Sequence, residues 1–154
     1  MTSYANIDEV EAAIGAESVS DWFTIDQERV NTFADATDDH QWIHVDPERA
    51  KAGPFGAPIA HGYLTLSLLP GLAADAVNIE GTLMAVNYGL NKVRFVNPVA
   101  VGSRIRARST IAAVERVPQG ARITSSTVVE IDGVEKPAAI AETIALFVLG
   151  SPTS

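Results

Sequence analysis

The chain contains no cysteine. Disulfides, thiolate metal sites and cysteine nucleophiles are therefore excluded, and a cytoplasmic location is the expectation. Cations are scarce: 11 lysines and arginines stand against 19 acids, a formal net charge of -8. Nucleic acid is excluded as a partner on that balance, because phosphate binding needs a basic surface. No apolar run approaches the ~20 residues of a membrane span, so no membrane association is expected. The N-terminus, MTSYANIDEVEAAIG, carries early acids and no basic, apolar-core signal peptide. Internal repeats and low-complexity linkers are also missing.

What is present is a chain of 154 residues, 47% hydrophobic and 19% charged. That length and balance fit one folded domain over residues 1–154, with a loose Gly-Ser-Pro-Thr-Ser tail from about 150. Ile7 to Gly15 reads as a short helix with acids in its first turn. Asp21 to Ile25 is a short strand. Asp26 caps a helix whose Val30, Phe33 and Ala34 share one face, and which dies among Asp35, Thr37, Asp38 and Asp39. Asp46-Pro47-Glu48 starts another helix, broken by Gly53-Pro54. His61 to about Val77 is apolar almost all round, which predicts a helix buried on most sides, kinked or broken at Pro70-Gly71.

After Gly81 the periodicity changes from helical to alternating. Leu83 to Val96 is one long strand, interrupted by Asn87, Gly89 and Asn91. Ile105 to Ala113 and Ile123 to Ile131 alternate apolar or small residues with polar ones, with a turn at Asp132-Gly133. Ala139 to Leu149 is a last, more apolar strand. Helices followed by a run of long strands predict an α+β domain, a curved antiparallel sheet wrapped around the apolar helix. A sheet of so few strands leaves open edges, so pairing with a second copy is expected.

Most of the plausible chemistry lies between Ala36 and Leu69. Asp39 and His44 are five residues apart on a predicted loop, which can fold both side chains toward one point. A carboxylate and an imidazole together can hold a water, take one of its protons and supply another. The competing structural reading makes Asp39 a turn cap and His44 a satisfied interior histidine. His40 is an alternative base, though adjacent side chains on a turn diverge. Asp38 reads as a solvated turn residue and Asp35 as the exposed side of its helix. Trp42 either walls a pocket or packs. Asp35, Asp39, His40, His44 and His61 could offer metal ligands, but without HExxH or EF-hand spacing the expectation is no metal. His61-Gly62 opens the apolar helix, where backbone N–H groups lack internal partners and could meet a negative oxygen. The competing reading is that Gly62 lets the helix pack tightly. Ser67 has no GxSxG context. Arg104, Arg106 and Arg108 form a basic stripe, by default a solvated strand face.

The stretch FADATDDHQWIHVDPERAKAGPFGAPIAHGYLTLSLLPGL resembles the hydratase 2 motif of the MaoC-like (R)-specific enoyl-CoA hydratases, and is similar to the small single-domain actinobacterial type. The motif elements are Asp39, His44, Asp46-Pro47 and Pro58-Ile59-Ala60-His61-Gly62. The later NYGLNKVRFVNPVAVGSRIRA resembles the family's central strand and turn. The resemblance implies a hotdog fold paired into a homodimer, needing no cofactor. It implies reversible syn addition of water to a trans-2-enoyl-CoA of fatty acid metabolism, giving (R)-3-hydroxyacyl-CoA. Asp39 and His44 would be catalytic and the Gly62 N–H would sit in the oxyanion hole. Trp42, His61, Lys92, Arg94 and Arg104 are candidates for contacts with the acyl-CoA substrate, the last three for its phosphates. The departure is Gln41-Trp42, where many members have Asn-Pro, and it bears on pocket shape. The rivals are a hotdog acyl-CoA thioesterase and a non-catalytic acyl-thioester-binding subunit.

Overall fold

The computed structural model describes residues 2–150, so the tail from 151 lies outside the described residues. The chain opens with β1 (Ser3–Tyr4) and α1 (Ile7–Ala12), where the Asn6 side chain caps the Glu9 N–H. Strands β2 (Glu17–Val19) and β3 (Phe23–Thr24) follow. Helix α2 (Gln27–Thr37) starts at Asp26, whose carboxylate accepts the Arg29 N–H at 2.8 Å. It ends at Asp38, which adopts φ +59°, a left-handed conformation that short acids tolerate. The cap and the stop both fall where residue chemistry puts them.

Two single-turn helices come next: α3 (Trp42–Val45) and α4 (Pro47–Lys51). His44 was expected on a loop and instead lies on α3. Nothing in QWIHV marks a helix, because four residues are too few to show a period. The expected helix from His61 to Val77 is two pieces, α5 (Gly62–Ser67) and α6 (Leu69–Leu72). Pro70 has no N–H for the Leu66 carbonyl, so the ladder breaks there. It resumes with Leu72 N–H donating to Leu68 O at 2.9 Å. The pieces end five residues early, and Ala73 to Ala76 form a turn before β4 (Asn78–Ile79). Burial on most sides does not hold either, since Tyr63 is 68% exposed. Only the face bearing Leu64, Thr65 and Leu69 is buried.

Four long strands complete the fold: β5 (Thr82–Phe95), β6 (Arg104–Val117), β7 (Gly120–Ile131) and β8 (Val134–Leu149). They form an antiparallel sheet in the order β2-β6-β7-β8-β5, with β3 also on the outer side of β6. The sheet curves over α5 and α6, the α+β hotdog arrangement expected from the element order. A separate parallel ribbon joins β1 to β4. Register shifts between Asn87 and Gly89 and between Leu90 and Lys92 bend β5, as a glycine inside a strand foretells.

The core has two clusters. One packs Val30, Leu64 and Leu69 on Ile105, Ala107 and Val129. The other packs Tyr4, Val10 and Ile79 on Ile111 and Ile123. The basic stripe on β6 is neutralised. Arg104 pairs with Asp132, Arg106 with Glu130, and Arg108 with both Glu130 and Glu17. At the other end of the sheet β5 pairs with β8 and has no strand on its outer edge among the described residues, with Leu83, Met84, Val86, Tyr88 and Leu90 exposed. No helix among the described residues is long and apolar enough to cross a membrane.

Candidate active site

Three segments meet at the start of α5. The end of α2 delivers Asp39, α3 delivers His44, and the strand-like entry to α5 delivers His61. One ligand atom from each of Asp39, His44 and His61 lies within 4.8 Å of the others. A water bridging Asp39 and His44 by two hydrogen bonds of ~2.8 Å near the tetrahedral angle would span ~4.6 Å, which falls within that 4.8 Å bound.

His44 is buried, and its ring is fixed at one face and one edge. Its Nδ1 lies 2.6 Å from the Ile59 carbonyl. A carbonyl can only accept, so Nδ1 carries the proton and Nε2 keeps its lone pair. The His61 ring stacks on the His44 ring with centroids 3.8 Å apart. Gln27 on α2 donates to the His44 backbone carbonyl at 2.8 Å, tying α3 to α2. Burial is the largest influence on His44 and holds its pKa below the ordinary histidine range. The Ile59 carbonyl opposes that shift, the His61 ring adds to it, and the Asp39 charge opposes it again. His44 is thus a neutral imidazole with an available acceptor nitrogen near neutral pH.

His61 is 2% exposed and lies against both Asp39 and His44. Its Nε2 donates to the Asp39 backbone carbonyl at 2.9 Å, and Phe33 packs on its other side. Its buried Nδ1 has no hydrogen-bond partner within the protein. The Asp39 side chain is half-exposed, and it accepts the Gln41 N–H only at 3.5 Å. The turn therefore engages the Asp39 carboxylate only weakly and leaves it half-exposed.

Gly62 is the first residue of α5, so its N–H has no carbonyl one turn earlier in the helix. A Cβ on Gly62 would stand 3.0 Å from the Phe95 ring. The space the missing side chain leaves is taken by Phe95, which is the packing reason for glycine. Trp42 packs too. Its ring lies where a Cβ on Gly53 would come within 2.9 Å, with the Arg49 guanidinium 4.4 Å above it. His40 is exposed and bonds Asp35 at 2.8 Å, away from His44.

Lys92 and Arg94 lie on exposed positions of β5, and Arg94 donates to the Val93 carbonyl. Arg104 lies on β6, with β7 and β8 between, and is paired with Asp132. The three cations are therefore not one cluster within a single chain. Asp39, His44 and His61 are also the set, among the described residues, whose donors could hold a metal ion. The Ile59 and Asp39 carbonyls already occupy one nitrogen of each histidine. Sequence reasoning missed Ile59 and Gln27. Ile59 acts through its backbone, which no residue type signals, and Gln27 had only its place in the first turn of α2.

The comparisons with known proteins agree. The family described as "MaoC like domain" matches residues 9–132. The chain is 54% identical over 150 residues to 3-hydroxyacyl-thioester dehydratase Z of Mycobacterium tuberculosis, covering 96% of this chain and 99% of that one. Among solved structures it is similar to the monoamine oxidase regulatory protein of Archaeoglobus, with a TM-score of 0.81 at 26% identity, covering 97% and 98% of the two chains. The (R)-hydratase of A. caviae shares the fold with a TM-score of 0.73 at 24% identity, covering 87% and 96%. With an acid and a neutral imidazole converging on a water-sized gap beside the first N–H of a helix, the chain belongs to the MaoC-like family and is an enzyme of the hydratase and dehydratase class.

Proposed function

We propose that the chain is an (R)-specific enoyl-CoA hydratase, adding water reversibly to trans-2-enoyl-CoA to give (R)-3-hydroxyacyl-CoA. The observation that carries the reading is the convergence of Asp39 and His44 at the start of α5. A water between the two side chains loses a proton to the pair, and its oxygen bonds to C3 of the enoyl group. The π electrons move toward the thioester oxygen, which accepts a hydrogen bond from the Gly62 N–H. The proton held by the pair then passes to C2. Both groups stand on one side of the double bond, so the addition is syn. The acid and base roles are assigned to Asp39 and His44 together and are not divided between them.

His61 positions rather than reacts, since it is buried behind His44 and grips the Asp39 backbone. For the CoA phosphates, Lys92 and Arg94 are the proposed contacts on β5, with Arg104 reachable only at the far side of the sheet. The unpaired β5 edge and its exposed apolar side chains support a homodimer through that strand. Sedimentation at working concentration tests it, with a monomer as the contrary result. Missing cysteine and net acidity fit a cytoplasmic enzyme, which cell fractionation checks.

The mycobacterial relative named as a 3-hydroxyacyl-thioester dehydratase supports the same equilibrium approached from the other side. The decisive assay follows loss of the enoyl absorbance of crotonyl-CoA. Disappearance of the chromophore without release of free thiol is the expected result. Thiol release with the chromophore intact makes the protein a thioesterase. No change in either makes it a thioester-binding subunit.

A further inference from the structure

The inner face of the sheet is apolar at both ends and hydroxylic in the middle. Ile105, Ala107 and Val129 belong to one core cluster, Ile111 and Ile123 to the other. Between them on the same strand faces come Ser109, Thr127, Ser125 and Thr143. The register sets Ser109 opposite Thr127, and Ser125 opposite Thr143. The first pair is buried and self-sufficient, with its hydroxyls 2.8 Å apart. The second pair is half-buried and faces a cavity of about 710 Å³ between the sheet and α5–α6. Ser67 meets that cavity from the helical side, as does Asn87 from β5.

Packing does not ask for this pair. Aliphatic side chains at Ser125 and Thr143 would bridge the two clusters, and their buried methylenes would stabilise the fold. A β-branched residue suits a strand, which accounts for the shape of Thr143 but not for Ser125. Hydroxyls facing a largely apolar cavity carry a cost unless something bonds to them.

We propose that Ser125 and Thr143 receive an oxygen on the acyl chain, so that the preferred substrates are 2-enoyl thioesters whose tail bears a hydroxyl or keto group. The inference rests on the hydratase reading above. The cavity begins at Leu66 and Ser67, one turn beyond Gly62 along α5. From Gly62 to Ser67, where the cavity begins, the helix rises roughly 7.5 Å, about six bonds of an extended carbon chain, so a tail anchored by its thioester oxygen at Gly62 enters the cavity that Ser125 and Thr143 face near roughly its seventh carbon.

The test compares kcat/KM for trans-2-octenoyl-CoA and its 7-hydroxy counterpart, with crotonyl-CoA as the tail-less control. The hydroxylated substrate is expected to be favoured about 3- to 10-fold, the size of one neutral hydrogen bond. The preference is expected to vanish in Ser125→Ala/Thr143→Val. Thr143→Val alone keeps the side-chain shape, guards against a folding failure, and is expected to lower the ratio. Equal rates on the two octenoyl substrates, or a preference that survives both variants, overturns the inference. If wild type turns over crotonyl-CoA while showing no preference, this inference alone fails. If none of the three thioesters is hydrated, the hydratase reading fails and takes the inference with it.

Discussion

Two histidine–aspartate pairs lie within the ten residues from Asp35 to His44, and they differ in everything but composition. His40 and Asp35 make a direct 2.8 Å contact in the open, with the aspartate side chain 78% exposed. His44 and Asp39 converge without being tied to each other, beside a buried second histidine. The well-made surface pair has satisfied itself and has nothing left to offer a substrate. In the other pair the backbone of Ile59 consumes the unneeded nitrogen and His61 consumes the Asp39 carbonyl, leaving one nitrogen and a carboxylate facing the same gap. A site is made here by what the surroundings leave unsatisfied, not by the closeness of two charges.

Removing members of each pair is the sharpest way to break that contrast. His44→Ala and Asp39→Ala are each expected to lower kcat/KM on crotonyl-CoA by ~10²–10⁴-fold with the fold retained. His40→Ala and Asp35→Ala are expected to stay within about 2-fold of wild type, because an exposed pair of this kind contributes little. A large loss in the second set, read in the same assay, would erase the distinction.

His61 comes next. His61→Phe fills the ring volume but cannot donate to the Asp39 carbonyl, so kcat is expected to fall roughly 10- to 100-fold through misplacement of the carboxylate. The pH profile separates positioning from mere packing. The His61 ring helps to hold the His44 pKa down, so the acid limb should move to higher pH in the variant. An unmoved limb would assign His61 to the core alone.

The same shift governs wild type. His44 must be neutral to accept a proton, and its folded pKa is below the ordinary 6.5. Activity should therefore persist as pH falls through 6.5 and decline only below it. Stability follows the same sign. The unfolded chain binds the proton more readily, so stability is complete above the unfolded value and falls as pH drops beneath it. Thermal melts between pH 5 and 7.5 check this, with a melting point that rises on acidification as the contrary result.

The smallest expected effect concerns the helix start. Gly62→Ala must displace the Phe95 ring by a few tenths of an ångström, and a loss of about 1–3 kcal/mol is expected from overpacking. Gly62→Ala combined with Phe95→Leu should recover part of that loss in the melting temperature. Equal melting for both would mean that the ring gives way freely.

Much of this arrangement was legible. The Asp26 cap, the Pro70 break, the bulge at Gly89 and the turn at Gly133 are each fixed by the chemistry of one residue, and each stands where expected. The far end of the apolar segment misled, because Ala73, Ala76 and Val77 keep a helical spacing while serving as cavity wall outside any helix. The closeness of Asp39 and His44 was legible as a candidate pair. The burial of His61 was not, since a buried histidine and a surface one look alike in a string of letters.

By itself the sequence determined α2 and the four long strands, the inside and outside of β7 and of β6 as far as Ile111, and the acid and imidazole available for chemistry. Those follow from local periodicity and from side-chain functional groups, which need no neighbours to be defined. Only the tertiary structure decided which histidine is buried, which nitrogen carries its proton, and that Phe95 fills the space above Gly62. Each of those depends on residues distant in the chain, and desolvation and hydrogen-bond complementarity come into being only when the sheet closes over the helices.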